Sequence, residues 1–156
     1  DDLVLRDADR LRRSGGGTGA AVEVDNSGVG PGRVEGNDRL LARVVRNLVD
    51  NASRHAEGRI TLRVHSESTV RGERVLFTVA DDGAGVPSED RERIFDRFTR
   101  LDEGRARDVG GSGLGLAIVC DVVEAHGGTV SVTAGDGRGE GAGAAFTVDL
   151  PADTRE

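Results

Sequence analysis

Apolar residues recur along this chain at two periods, and the places where the period changes mark out its elements. From Asp38 to His55, the residues Leu41, Val44, Val45, Leu48, Val49 and Ala52 form one stripe at helical spacing, with Arg43, Asn47, Asp50, Asn51 and Arg54 on the opposite side. A shorter helix is predicted earlier by Leu3, Val4, Ala8 and Leu11, and Ser14-Gly15-Gly16-Gly17 ends it. Alternation predicts strands at Ile60/Leu62/Val64 and Val75/Phe77/Val79, separated by a polar turn over Ser66–Glu73. It predicts two more at Val130/Val132 and Phe146/Val148/Leu150, with a glycine-rich run from Gly135 to Gly143 between them. Ala21–Asp25 reads as a short strand before a Pro31-containing loop over Ser27–Gly32, and Pro87, Glu89 and Asp90 open a short helix ending near Phe95. Leu114 to His126 is apolar nearly all round, as a buried helix is, and Gly127-Gly128 stops it. Thr99 to Gly113 has no hydrophobic period and is expected to be a mobile loop. This order of elements predicts a two-layer α/β domain, a mixed β-sheet covered on one face by helices.

Composition narrows the class. A length of 156 residues with 36% hydrophobic content suits one domain with one core. Acidic residues number 28 against 21 basic ones, for a formal charge of -7, which weighs against nucleic acid as a ligand. Every basic residue is arginine; lysine is absent, as are Gln, Met, Trp and Tyr, a bias that fits a GC-rich coding sequence. Without lysine the chain is neither a Walker-type phosphate-loop protein nor a eukaryotic-type protein kinase, because both place an ammonium on the nucleotide phosphates. The single Cys120, inside an apolar helical run, reads as a small core residue and has no internal disulfide partner. No stretch reaches the roughly 18 apolar residues of a membrane span, and no basic-then-apolar leader opens the chain. Its first residue, Asp1 rather than Met, suggests a piece of a longer protein.

The chemistry gathers where glycines cluster. Asp81-Asp82-Gly83-Ala84-Gly85 and Gly111-Ser112-Gly113-Leu114-Gly115-Leu116 leave the backbone free to approach a polyanion and present its N–H groups. The second cluster runs straight into the Leu114 helix, so free amides and the helix dipole face the same phosphates. Asn47, Asn51 and Arg54, spaced i, i+4 and i+7, share a helix face from which two amide oxygens and a guanidinium can converge on a metal–phosphate group. Alone, that trio reads equally as a solvated face; beside two glycine clusters it reads as part of a nucleotide site. Asp81 ends an apolar strand and can accept a hydrogen from the adenine amino group, whereas Asp82-Gly83 between two hydrophobic runs is also the pattern of a hairpin turn.

Taken in order, these residues resemble the catalytic, ATP-binding domain of sensor histidine kinases, in the GHKL superfamily shared with gyrase-type ATPases. Asn47-Leu48-Val49-Asp50-Asn51-Ala52 is similar to that family's N box, Asp81 to Gly85 to its first glycine box, and Phe95-Asp96-Arg97-Phe98 to its F box. Gly111 to Gly115 resembles the second glycine box and Gly141-Ala142-Gly143-Ala144-Ala145-Phe146 the third. The resemblance runs to about Leu150 and implies the Bergerat fold, an α/β sandwich holding ATP under a flexible lid, here Thr99–Ser112. It implies transfer of the ATP γ-phosphoryl group, with Mg²⁺, to a histidine on a separate dimerisation domain, and a response regulator served indirectly. It further implies a cytoplasmic domain of a membrane-anchored sensor that itself touches neither membrane nor nucleic acid.

Carried onto this chain, the resemblance implies catalytic roles for Asn47, Asn51 and Arg54, with Asn51 on Mg²⁺. Asp81 takes the adenine-reading position, and Gly83 and Gly85 let base and ribose lie close to the backbone. Arg100 and Arg105 of the lid, and Gly111, Ser112, Gly113, Leu114 and Gly115, meet the phosphates, while Phe95 and Phe98 anchor the lid. Arg54 and His55 stand where many relatives have Lys and Tyr. Asn47 stands where chaperone, gyrase and mismatch-repair ATPases carry a water-activating glutamate; an amide is no base, so poor hydrolysis and transfer to a positioned nucleophile are expected. Two other readings remain: an anti-sigma-type serine kinase of the same fold, disfavoured by the Phe95/Phe98 pair and the longer lid, and a catalytically silent ATP-binding module. None of the three histidines reads as a phosphoacceptor: His55 ends the Asn helix, His65 lies in a strand, and His126 sits at a helix C-terminus where a cation meets the dipole.

Overall fold

A computed structural model of the chain describes residues 1–14, 22–96, 114–135 and 142–155. Its elements are α1 (Asp2–Arg13), β1 (Glu23–Val29), α2 (Asp38–His55), β2 (Arg59–Thr69), β3 (Gly72–Asp81), α3 (Gly115–Ala125), β4 (Thr129–Ala134) and β5 (Ala144–Pro151). Single 3-10 turns at Ser88–Asp90 and Arg93–Phe95 replace the short helix predicted after Pro87. The strands form one sheet in the order β1-β2-β3-β5-β4. Only β1 and β2 are parallel, because α2 carries the chain back across the sheet between them; the other neighbours are antiparallel, β2 and β3 as a tight hairpin and β5 inserted between β3 and β4.

The stripe on α2 explains the core. Asn37 starts this helix, its side-chain oxygen accepting the Arg39 and Leu40 amides at 3.0 and 3.1 Å, a cap that contributes about 1 kcal/mol. Leu48 and Val49 of α2 and Val119 and Val123 of α3 are fully enclosed against Ile60, Leu62, Val79 and Val148 of the sheet. Each such side chain contributes about 1.5–3 kcal/mol on burial. α1 buries Val4, Ala8 and Leu11, and its Arg10 donates to Asp50 of α2 at 2.7 Å while holding Asp7 at 2.8 Å. Among the described residues no helix is long and apolar enough to cross a membrane.

Two sequence expectations move. The polar segment Ser66–Glu73 is mostly strand, for β2 and β3 keep pairing out to Thr69↔Gly72 and the turn shrinks to Val70-Arg71. This end of the hairpin is exposed, so backbone pairing and polar contacts such as the Ser68 hydroxyl on the Glu73 carboxylate hold it without an apolar face. β1 likewise begins after Ala21 and continues to Val29, its register against β2 slipping between Asp25 and Gly28 to absorb polar residues expected to form a loop. Cys120 is half-buried rather than enclosed, its thiol 3.4 Å from the Glu124 carboxylate.

Candidate functional site

Asp81 is the last residue of β3, paired with Ile60 on one side and Ala144 on the other, at the centre of the sheet. It is only 5% exposed, and its Oδ1 accepts the Gly83 N–H at 2.9 Å. Burial pushes the carboxyl above the ordinary aspartate range; the Gly83 amide, His55 and the Ala144 amide pull it back, and Asp82 adds to the rise. A buried acceptor of this kind at a strand end is suited to reading a hydrogen-bond donor brought by a ligand.

The turn after Asp81 is set by backbones in direct contact. A Cβ on Gly83 would fall 2.0 Å from the His55 carbonyl oxygen at the end of α2. A Cβ on Gly143 (φ +103°) would fall 1.9 Å from the Asp81 carbonyl oxygen, and one on Gly85 (φ +79°) 2.8 Å from that of Gly143. The first and third glycine clusters therefore interlock, and packing alone accounts for Gly83 and Gly85 without a ligand. Asp82-Gly83 is not a hairpin turn, since β3 pairs next with β5 rather than with the segment that follows it. Instead Asp82 reaches back to the loop leaving α2: its Oδ1 accepts the Glu57 and Gly58 amides at 2.8 and 3.0 Å, and its own N–H donates to the Arg59 carbonyl at 3.3 Å. Partial burial opposes ionisation, but the Gly58, Arg59 and Glu57 amides outweigh it and hold the carboxyl below the usual range. Nothing local in the sequence signals this contact, because its partners lie far back in the chain.

From His55 the site runs back along α2. One turn earlier, Asn51 is 7% exposed and so belongs to the buried side of the helix, contrary to its expected place on the solvated side. Its amide makes no hydrogen bond among the described residues, yet none of its polar atoms is sealed from solvent. A further turn back, the Asn47 amide donates to the Gly115 carbonyl at 3.3 Å, tying α2 to the first turn of α3 and leaving Oδ1 as the free-facing acceptor. Leu114 precedes that turn, and no side chain caps it. Arg54 is exposed. The structure thus places Asn47 at the start of α3 and Asn51 nearer the end of α2, where the turn after Asp81 packs; Arg54, seven residues from Asn47 and so on nearly the same helix face, is exposed.

Arg100, Arg105, Gly111, Ser112 and Gly113, together with Phe98 and the expected lid Thr99–Ser112, lie outside the described residues. Phe95 packs edge to face on Phe146, ring centroids 6.1 Å apart, as an anchor of the segment after Pro87 would. The histidines are structural or exposed: His55 and His65 face solvent. His126 corrects its sequence reading. Its Nε2 accepts the Asn37 N–H at 3.2 Å and its Nδ1 lies 2.7 Å from the Val122 carbonyl, so the ring joins the end of α3 to the start of α2. A separate open cleft of about 450 Å³ is lined by Glu35, His126, Asp153 and Arg155. It holds none of the site residues, and Arg155 already pairs with Glu35 and Asp153 there at 3.1 and 3.0 Å.

Among the described residues no three His, Cys, Asp or Glu side chains gather to hold a metal. A Mg²⁺ ion at this site would have to rest on one amide oxygen and a ligand's phosphates; the Asn51 amide, with no hydrogen bond among the described residues, fits that donor set, since Mg²⁺ takes few protein oxygens and keeps several waters.

Comparison with known proteins agrees with this geometry. Residues 36–154 match the family model described as histidine kinase-, DNA gyrase B-, and HSP90-like ATPase. The chain is 39% identical over 133 residues to the sensor-like histidine kinase SenX3 of Mycobacterium tuberculosis, covering 85% of this chain and 31% of that protein, so it spans about a third of the length of such relatives. Among solved structures, the mycobacterial sensor histidine kinase MprB is similar with a TM-score of 0.79 and 31% identity, over 97% of this chain and 93% of that one. Full-length ShkA in complex with AMPPNP gives 0.76 and 29% over 99% of this chain and 30% of that one.

Proposed function

From the premise that the chain belongs to the histidine kinase-, DNA gyrase B- and HSP90-like ATPases, as the ATP-binding catalytic domain of a sensor histidine kinase, we propose how its own residues serve phosphoryl transfer to a histidine. Residues 1–156 act as one catalytic unit, and the accepting imidazole comes from a separate dimerisation domain whose phosphate passes on to a response regulator. The observation that carries this reading is that α2 and β3 each bring a buried polar group toward the turn where they meet, the Asp81 carboxylate and the Asn51 amide, the latter with no hydrogen bond among the described residues. ShkA, similar over nearly all of this chain, was solved with AMPPNP, which supports a nucleotide in the corresponding cleft.

Asp81 accepts the hydrogen of an adenine amino group and rejects guanine, which presents a carbonyl oxygen at that position. Asn51 supplies the protein oxygen for Mg²⁺, and the exposed Arg54, on the helix face it shares with Asn47, balances phosphate charge. When bound, Mg²⁺ draws negative charge from the phosphate oxygens during transfer. Asn47 holds the first turn of α3 in place through Gly115, so the amides there face the phosphates with Leu114 and Gly115. Being an amide it takes no proton from water, which favours a positioned imidazole over hydrolysis. Arg100, Arg105 and the Gly111–Gly113 segment complete the phosphate contacts in this reading.

The test is twofold. Calorimetric titration should give ATP binding strengthened by Mg²⁺ and lost in Asp81→Ala. Labelled ATP should leave the chain alone almost unlabelled, since His55 and His65 are exposed without a nucleotide-side partner and His126 is spent on structure, but should label its cognate dimerisation domain added in trans. Transfer failing with the true cognate domain would favour the silent-module reading; stoichiometric acid-labile labelling of this chain's own histidines would overturn the reading.

A further inference from the structure

The two halves of the site sit on α2 and β3, which share the core through Leu48, Val49 and Val79 and meet again where each element ends. Asn51 belongs to α2 and Asp81 to β3, and between the exit of α2 and the end of β3 lies the short loop Ala56-Glu57-Gly58. We propose that Asp82 is a positioning residue for nucleotide recognition: its carboxylate fastens this loop to the Asp81–Gly83 turn, so that the amide on α2 and the carboxylate on β3 address one nucleotide in fixed register. The proposal rests on the nucleotide reading given above.

The geometry is specific. One oxygen, Asp82 Oδ1, takes two consecutive loop amides, Glu57 at 2.8 Å and Gly58 at 3.0 Å, while the Asp82 N–H holds the Arg59 carbonyl at 3.3 Å. On either side of Asp82, the chain makes the two contacts on which adenine reading depends. Asp81 lies before it, and after it Gly83 both donates to Asp81 Oδ1 at 2.9 Å and packs on the His55 carbonyl with no room for a Cβ. Releasing the Asp82 fastening leaves that Gly83 contact as the main tie between α2 and the turn, free to open. Because the Glu57 amide bond is at the exposed edge of the loop, water can replace the lost acceptor, so the fold tolerates the release while the register does not. The role requires an acceptor at Oδ1, not a negative charge, and this separates it from the adenine-reading role of Asp81.

Nucleotide titration of the intact chain tests this with three variants beside the wild type. Asp82→Ala should weaken ATP binding about tenfold and narrow the ATP-over-GTP preference, the loss of a charged hydrogen-bond acceptor seen through position alone. Asp82→Asn, which keeps Oδ1, should restore both to within about threefold. Glu57→Pro removes one of the two donors without touching Asp82; Ala56, at φ -62° and ψ 137°, already has the extended conformation a residue before proline needs. It should reproduce part of the Asp82→Ala loss and add nothing in the double variant. Wild-type affinity and ATP preference in Asp82→Ala, equal losses in Asp82→Ala and Asp82→Asn, or additive losses in the double variant would each overturn the proposal. Should Asp82→Ala fail to fold, Glu57→Pro with its unchanged Asp82 carries the test, and full ATP affinity there refutes it. Absence of nucleotide binding in the wild type would instead remove the underlying reading.

Discussion

Replacing Gly83 by alanine tests the joint between α2 and β3 most severely. The new Cβ would lie 2.0 Å from the His55 carbonyl oxygen, where ordinary contact starts at 3.4 Å, so the two backbones must part by about 1.4 Å. Neither side yields easily. β3 is held at Asp81 by strands on both flanks, and the end of α2 is held by the Ala56 amide on Ala52 at 2.7 Å and by Asp82 on the following loop. Overpacking of this kind costs about 1–3 kcal/mol, and parting the turn also strains the Gly83 hydrogen bond to Asp81, for a total of about 3 kcal/mol. In a domain of this size that corresponds to a fall of about 6–12 °C in Tm. Gly72→Ala is the contrasting control: its φ of +105°, unlike the backbone at Gly83, is itself unfavourable for alanine, but no atom lies within 4 Å of the new Cβ, so only a backbone cost of about 1–2 kcal/mol arises. Urea titrations of both variants and the wild type, followed by ATP titration, read the difference. Gly83→Ala should be the less stable variant and lose ATP affinity, while Gly72→Ala should bind ATP as the wild type does. If Gly83→Ala proves no less stable than Gly72→Ala, the close-packing account of this turn is wrong.

Asp81→Asn should raise folding stability near neutral pH while abolishing adenine selectivity. The carboxyl's folded pKa is raised, so between the ordinary aspartate range and that raised value the folded state holds more protons than the unfolded one, and wild-type stability falls as pH rises through this window. The advantage of the variant should therefore be present at neutral pH and shrink as pH drops through the window; an advantage independent of pH in urea titrations would contradict the burial argument. Asn51→Ala should leave stability within about 0.5 kcal/mol of the wild type, since no hydrogen bond among the described residues is lost, yet remove the strengthening of ATP binding by Mg²⁺. Calorimetry in which Mg²⁺ still strengthens ATP binding to Asn51→Ala would reassign the metal contact.

The long helix was legible in the sequence nearly to the residue, because a sustained apolar stripe repeats over the whole span, Asp38–His55. The outer hairpin was not, because hydrophobic alternation reports only strand faces that touch the core, and from His65 to Glu73 the outer part of β2 and the start of β3 are mostly exposed and polar. Asn51 was placed on the wet side of α2 by its polarity; its burial depends on what packs above the helix, which periodicity does not record. Gly83 and Gly85 were read as making room for a ligand; the structure adds that a Cβ at either would also meet backbone of the same chain, the end of α2 at Gly83 and the turn before β5 at Gly85. His126 was read as a cation at a helix end, and only the Asn37 amide, 89 positions away, shows it to be an acceptor. The contacts that were missed are all of this kind: one side chain meeting a backbone group distant in sequence, which no local pattern encodes.

The bonds Asn47 to Gly115 and His126 to Asn37 bind the same two helices at opposite ends. Along α2 the tied residues are separated by a rise of about 15 Å and along α3 by about 16 Å, so the spans match and the helices run in opposite directions. α3 therefore cannot slide lengthwise past α2 without breaking one of the bonds. Two ties at matched spacing fix the depth of its first turn beside Asn47 from both directions, so removing the His126 ring, far from the glycine clusters, would loosen that same turn from its distant end.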